Sequence, residues 1–196
     1  MYTMMILFAT AMLRLAPTAS QSAVWKMDKA HSQVKFSVAH LVISEVTGVF
    51  KDVDATMASN QDDFTDAEIE ATIKSASIDT GSEGRDKDVR SDSFLGAEKF
   101  PEIRFKSTKI EKTADGMYKI TGNLTIRDVT KSVVLDTKYN GTIKDPWGNT
   151  RSAFKATTTI DRFDYGVKWD KRMDTGGLIA GRNIDITLLM EFTKSK

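Results

Sequence analysis

The first candidates for chemistry are the chain's two histidines, His31 and His40, which bound one short segment. A histidine can ligate a metal, act as a general base or form hydrogen bonds in a core. Between the two, Val34, Phe36 and Val38 alternate with polar residues, which indicates a β-strand with one apolar face. A continuous strand rises about 3.3 Å per residue and would separate the histidines by roughly 30 Å. One metal ion therefore cannot bind both.

His40 lies on the apolar face of this strand, where a polar ring has two interpretations. It contacts a polar head group inside the fold, or it is a buried histidine paired with a serine or a backbone carbonyl. His31 precedes the strand beside Ser32 and is expected to fix the strand entry. Both interpretations of His40 stay open at this point.

Composition excludes several classes of function. The 28 basic and 27 acidic residues give a net charge of +1 and are scattered, unlike a nucleic-acid footprint or a polybasic membrane patch. The chain has no cysteine, so disulfides, thiolate zinc sites and a cysteine nucleophile are excluded. No G-x-S-x-G elbow, metal-type histidine pair or phosphate loop occurs. We therefore predict no catalytic residue, no metal and no enzyme, although a spatial Ser-His-Asp arrangement is not excluded by sequence.

The N-terminal region resembles a secretory signal. Residues 4–13 form an apolar run followed by Arg14, Pro17 and small residues. Such a run is about half a membrane span and fits the core of a signal peptide. We expect a signal peptide over residues 1–23, cut between Ser20 and Ala23. A single mature domain over 24–196 would then be periplasmic or secreted.

Apolar and polar residues alternate in seven further segments along the rest of the chain, with slips near Asp52 and Ser75. The connections are too short for parallel crossovers, so the predicted sheet is antiparallel. In the last segment, Ile184, Ile186, Leu188 and Met190 are expected to face inward. The charged stretch 80–100 is the exception and is expected to contain a short helix. The eight predicted strands are 33–40, 48–57, 67–78, 102–110, 117–126, 132–143, 152–160 and 183–192.

Eight antiparallel strands with one apolar face predict an all-β closed barrel, which leaves no exposed edge. A barrel of this size either fills its interior with side chains or holds one small ligand. Small residues on the apolar faces fit both, since they can leave a cavity or let strands curve. The question stays open on these residues, which are Gly48, Ala71, Gly122, Gly141 and Ala156.

Five blocks in order resemble the YceI-like family of polyisoprenoid-binding proteins. The resemblance implies a lipocalin-like barrel around a long apolar tunnel, secreted or periplasmic, which binds amphiphiles with isoprenoid or fatty chains. It implies no established catalytic residue. The blocks are 25–50, 77–107, 122–135, 160–170 and 176–192.

These observations favour a non-catalytic barrel that sequesters or transports a polyisoprenoid or long-chain amphiphile. Two alternatives remain: a small secreted hydrolase or isomerase acting on a lipid in the same cavity, and a filled structural barrel. No cofactor besides a bound lipid, no nucleic acid and no stable membrane insertion are expected, and an exposed tunnel mouth could favour a homodimer. The predicted cavity lining is Val34, Phe36, Val38, His40, Phe50, Phe105, Phe154 and Leu188.

Three further residues are candidates for the mouth of the cavity or the head group: Arg85, Trp147 and Trp169. Arg85 could hold an anionic head through charge-assisted hydrogen bonds. Alternatively, the loop is ordered by ion pairs among Arg85, Asp86, Arg90 and Asp92. Each tryptophan either closes the cavity or covers an edge of the core.

Overall fold

The computed structural model describes residues 22–195. All but the last two residues of the predicted signal peptide therefore lie outside the described residues. Within the described part, no helix is both long and apolar enough to cross a membrane.

The described residues form eleven strands and one α-helix. The single helix, α1, spans Glu83–Arg90, inside the stretch where a short helix is predicted. The strands are β1 (Ala23–Met27), β2 (Gln33–His40), β3 (Ser44–Phe50), β4 (Val53–Ser59), β5 (Glu68–Lys74), β6 (Ile78–Asp79), β7 (Glu102–Ala114), β8 (Met117–Ile126), β9 (Val129–Lys144), β10 (Thr150–Asp161) and β11 (Ala180–Lys194).

The eleven strands close into an eight-stranded antiparallel barrel because three of the barrel strands are interrupted. β1 and β2 lie end to end along β11, which pairs with both. β4 and β3 continue one another opposite them, and β5 and β6 do the same in the next position. β7 to β11 then follow as neighbours in chain order. The predicted fold class is confirmed.

The interruptions fall where the alternation of the sequence slips. The break between β3 and β4 covers residues 51–52, and a 3-10 turn over Ser75–Ser77 separates β5 from β6. A bulge or turn at these points returns the apolar side chains of the next segment to the inside. β1 is the one strand that the alternating segments did not predict.

The two ends of the barrel differ in what covers them. The helix end carries α1, the β2–β3 turn at residues 41–43 and the segment 162–179 between β10 and β11. The far end carries the β4–β5 loop (60–67), the β7–β8 turn and the β9–β10 turn. These two names, helix end and far end, follow from the strand register, since β2 and β11 meet near α1 while β1 pairs with the end of β11.

Candidate ligand cavity

The barrel encloses a cavity of about 670 Å³ that runs between its two ends. This volume is within the range of pockets that bury a small ligand, about 300–1,000 Å³. The side chains of β11 that face it are those that the alternation predicts, Ile184 to Met190 in steps of two. The interior is therefore hollow. All eight residues of the predicted lining lie on the cavity wall: Val34, Phe36, Val38, His40, Phe50, Phe105, Phe154 and Leu188.

Two glycines explain how a barrel rich in phenylalanine stays open. Gly48 pairs with Phe36, and the ring of Phe36 lies where a Cβ of Gly48 would be. Gly122 pairs with Ser107 on β7, and the ring of the diagonal neighbour Phe105 lies where a Cβ of Gly122 would be. A missing side chain on one strand gives the neighbouring ring room to lie against the wall. The small residues whose role the sequence left open therefore contribute to the cavity at these two positions.

Positive charge lies at the helix end of the cavity. Arg162 lines the cavity, is only 5% exposed and donates all its described hydrogen bonds to backbone carbonyls. Burial lowers the pKa of its guanidinium, which still stays protonated because arginine titrates far above neutral pH. Its acceptors are the carbonyl oxygens of Gly181, Val167, Trp169 and Ala180.

Arg85 also lines this end, and its loop is ordered in an unexpected way. The guanidinium donates to the hydroxyl and the carbonyl oxygen of Thr80, at 2.8 and 2.7 Å. The buried carboxylate of Asp86 accepts from the backbone N–H and the hydroxyl of the same threonine. Arg90 donates to the carbonyls of Ala76 and Ile78. Arg85, Asp86 and Arg90 thus bond to the chain around them rather than to one another.

The mouth at the helix end is covered by an aromatic pair. The rings of Phe94 and Trp169 lie 5.3 Å apart between centroids, and both residues line the cavity. Arg127 holds the loop of Phe94 by donating to the carbonyls of Asp92 and Phe94. Nearby, Tyr165 is 2% exposed and lines the cavity, and burial raises the pKa of its phenol to about 12. Its hydroxyl is therefore neutral at ordinary pH and able to donate.

The far end is closed by a cluster of aromatic side chains. Phe64 packs edge-on against Trp25, Tyr139 and Phe154, with ring centroids 5.4, 5.7 and 5.4 Å away. Phe154 in turn contacts Phe192. Edge-to-face pairs of this kind are favourable beyond the area they bury. The two ends of the cavity are consequently different in chemistry.

The structure brings Arg85 and Trp169 together at the helix end and separates Trp147 from them. Trp147 lies in the β9–β10 turn at the far end, is 81% exposed and is not part of the cavity wall. The turn residues around it place it there, because β9 and β10 meet at the end opposite α1. Sequence reasoning did not select Phe64, whose only signal is that it is a lone aromatic residue in the acidic loop 60–67.

His31 lies outside the barrel at the strand entry. Its Nδ1 is 3.1 Å from a carboxylate oxygen of Asp28, and Ser32 exchanges hydrogen bonds with the backbone of Glu191. His31, Asp28 and Glu191 could in principle share a cation, since their ligand atoms lie within 4.8 Å of one another. However, Nη1 of Arg151 already contacts both carboxylates, at 2.5 and 2.6 Å. A guanidinium thus supplies the positive charge of this cluster.

Comparison with known proteins agrees with this architecture. The family model described as YceI-like domain matches residues 25–192. The chain belongs to the YceI-like family. A UPF0312 protein of Pectobacterium atrosepticum is 40% identical over 196 residues, covering 99% of this chain and 98% of that protein.

Solved structures show the same YceI-like barrel. BcnA of Burkholderia cenocepacia superposes with a TM-score of 0.74 at 21% identity, over 84% of this chain and 98% of that one. A polyisoprenoid binding domain from Saccharophagus degradans gives a TM-score of 0.64 at 12% identity, over 87% and 98%. At these identities the two likenesses establish the fold.

Proposed function

We propose that the barrel binds one amphiphile with a polyisoprenoid or long alkyl chain and sequesters or transports it without turnover. The observation that carries this proposal is a cavity of about 670 Å³ with mainly apolar walls and with Arg85 and Arg162 at one end. Burial of apolar chain supplies about 0.8 kcal/mol per methylene, of which ordering and fit consume a part. The polyisoprenoid binding domain from Saccharophagus degradans, which has the same fold, supports this class of ligand.

The asymmetry of the cavity gives the ligand an orientation. The chain would lie along the barrel toward the aromatic far end, where an apolar group loses nothing by leaving water. The polar head would remain at the helix end near Arg85, Arg162 and the neutral hydroxyl of Tyr165. An anionic or hydrogen-bonding head is favoured there, because arginine forms strong bonds to acceptor oxygens. The apolar run over residues 4–13 supports a location of this carrier in the periplasm or outside the cell.

The first test is organic extraction and mass spectrometry of protein purified from its native compartment. We expect one class of long-chain amphiphile in near-stoichiometric amount, recovered chemically unchanged after incubation. Hydrolysed or isomerised lipid would favour the enzyme instead. Protein that never carries lipid and binds no apolar dye would contradict the proposal.

A substitution in the opening strand tests the cavity itself. Val38→Trp places an indole in the empty interior, so we expect lipid to be lost from the purified protein while the melting temperature stays near that of the parent. Gln33→Trp on the exposed face of the same strand is the matched control and should keep the lipid. If the interior were filled, Val38→Trp would cost about 1–3 kcal/mol of unfolding free energy through overpacking.

A further inference from the structure

The loop that joins β4 to β5 contributes an apolar side chain to the inside of the barrel. The loop is acidic, yet Phe64 at its centre is only 5% exposed. Its ring stands among three aromatic rings that come from β1, β9 and β10. The phenylalanine therefore closes the far end from a loop rather than from the wall.

The order of the rings along the barrel shows which one meets a ligand. Phe64 and Phe154 line the cavity, whereas Trp25 and Tyr139 do not. Both of the latter rings contact the ring of Phe64 but are absent from the cavity wall. They therefore lie behind Phe64 as seen from the cavity. Phe64 thus forms the end wall, with further aromatic packing behind it.

The backbone at Phe64 has an unfavourable conformation that the loop maintains. Its φ of 57° lies in the left-handed region, which is costly for any residue with a Cβ. The carboxylate of Asp66 accepts hydrogen bonds from Ser59, Asn60 and Gln61 and so fixes the loop on both sides. Strained conformations that the surroundings over-determine are frequent at ligand-contacting positions.

Resting on the proposed function, we infer that Phe64 sets the length of the chain that the cavity accepts. The head is held at the helix end, so a chain longer than the cavity would press its tail against the Phe64 ring. The ring cannot retreat, because Trp25 and Tyr139 fill the space behind it. Chains that reach the ring without displacing it gain the most burial, and longer ones must leave methylenes in water or bend.

The test uses a series of all-trans isoprenoid alcohols that grow by one unit from farnesol, measured by displacement of Nile red and by native mass spectrometry. For the parent we expect affinity to rise with length and then fall beyond one chain length. In Phe64→Ala the maximum should move to longer alcohols, with roughly a tenfold or greater gain for the first alcohol beyond the parent's limit. Phe64→Leu should move it less.

Phe105→Leu is the matched control, because it removes a similar volume from the side wall. It should change the affinity for all alcohols by a similar factor and leave the length limit in place. Native mass spectrometry counts only folded, ligand-bearing protein, so a destabilised variant still yields a limit. An unchanged limit in both Phe64 variants would overturn the inference alone. A parent that binds neither the dye nor any alcohol would overturn the proposed function and this inference together.

Discussion

The two ends of the barrel are closed by different physical means. At the far end, Phe64 and its aromatic neighbours exclude water by packing. At the helix end, Arg85 and Arg162 donate to oxygens of the loops that cross the mouth, and Phe94 with Trp169 covers what remains. One end thus depends on buried apolar area and the other on directed hydrogen bonds.

This difference supports a prediction of where the proposed ligand enters and how it is oriented. The aromatic cluster at the far end opens only with loss of much of its contact area. Loops held by individual hydrogen bonds open locally at smaller cost, as mobile elements over binding sites do. We therefore expect a ligand to enter at the helix end, and three perturbations test the contrast between the ends.

The largest effect is expected from Arg162→Leu at the helix end. The substitution leaves four backbone carbonyls without their donor, and we expect roughly 3–5 kcal/mol loss in the free energy of unfolding. Urea unfolding measures the loss. Arg182→Leu removes an exposed arginine that contacts the same Phe163 ring and should change stability little. Equal unfolding midpoints for the two variants would show that Arg162 does not hold this end.

We expect Phe94→Ala to have a smaller effect on stability but a clear effect on the rate at which a ligand leaves the cavity. Loss of the pair with Trp169 should cost about 1 kcal/mol of unfolding free energy. Nile red should dissociate several-fold faster, because the mouth is uncovered. Trp25→Phe at the far end is the control and should leave dissociation unchanged, since Trp25 does not line the cavity. Stopped-flow fluorescence separates the two, and faster release from Trp25→Phe alone would reverse the assignment of the entry side.

The smallest effect on stability is expected from lowering the pH, which acts on carboxylates that lie outside the cavity at the far end. Hydrogen bonds from Arg151 lower the pKa of Asp145 to about 2. At Asp28, burial raises the pKa, but hydrogen bonds from Arg151 and His31 outweigh it and lower the pKa to about 2. A carboxylate whose pKa is depressed on folding stabilises the fold above its ordinary value of 3.8 and loses this contribution as pH falls toward 2.

Melting temperatures measured across this range should therefore fall with pH. The fall should be shallower in Arg151→Met, which lacks the partner that perturbs both carboxyls. If the melting temperature falls equally steeply with pH in the parent and the variant, the hydrogen bonds of Arg151 do not contribute to the acid response.

The alternation of apolar and polar residues predicted most of the barrel, because one face of every long strand points inward. It also predicted the breaks near Asp52 and Ser75. It did not predict β1, whose five residues pair only with segments far away in the chain. In the β8–β9 turn, Asp128 is of the residue type that more readily tolerates a left-handed backbone, but Arg127 adopts this conformation, with a φ of 57°. Its side chain bonds to the loop of Phe94, a contact that no local pattern encodes.

The candidate site divides in the same way. Wall residues such as Val34 and Leu188 follow from strand parity, and the structure places them on the cavity. The positions of residues supplied by loops cannot be predicted from strand parity, because they depend on which elements meet at each end of the barrel. Trp147 and Phe64 both lie in far-end loops, yet one is exposed and the other is enclosed. That they bind a ligand stays a prediction for every residue named.

The pairing of β1 with the end of β11 has a consequence for the timing of assembly during synthesis. Trp25 pairs with Lys194 and Met27 with Phe192, so strands that are far apart in the sequence form one seam. Until residues 192–194 have been synthesised and have left the ribosome, β1 lacks this neighbour and the sheet remains open along that line. A nascent chain that lacks the end of β11 therefore has no closed barrel, and the cavity forms only after this strand is in place.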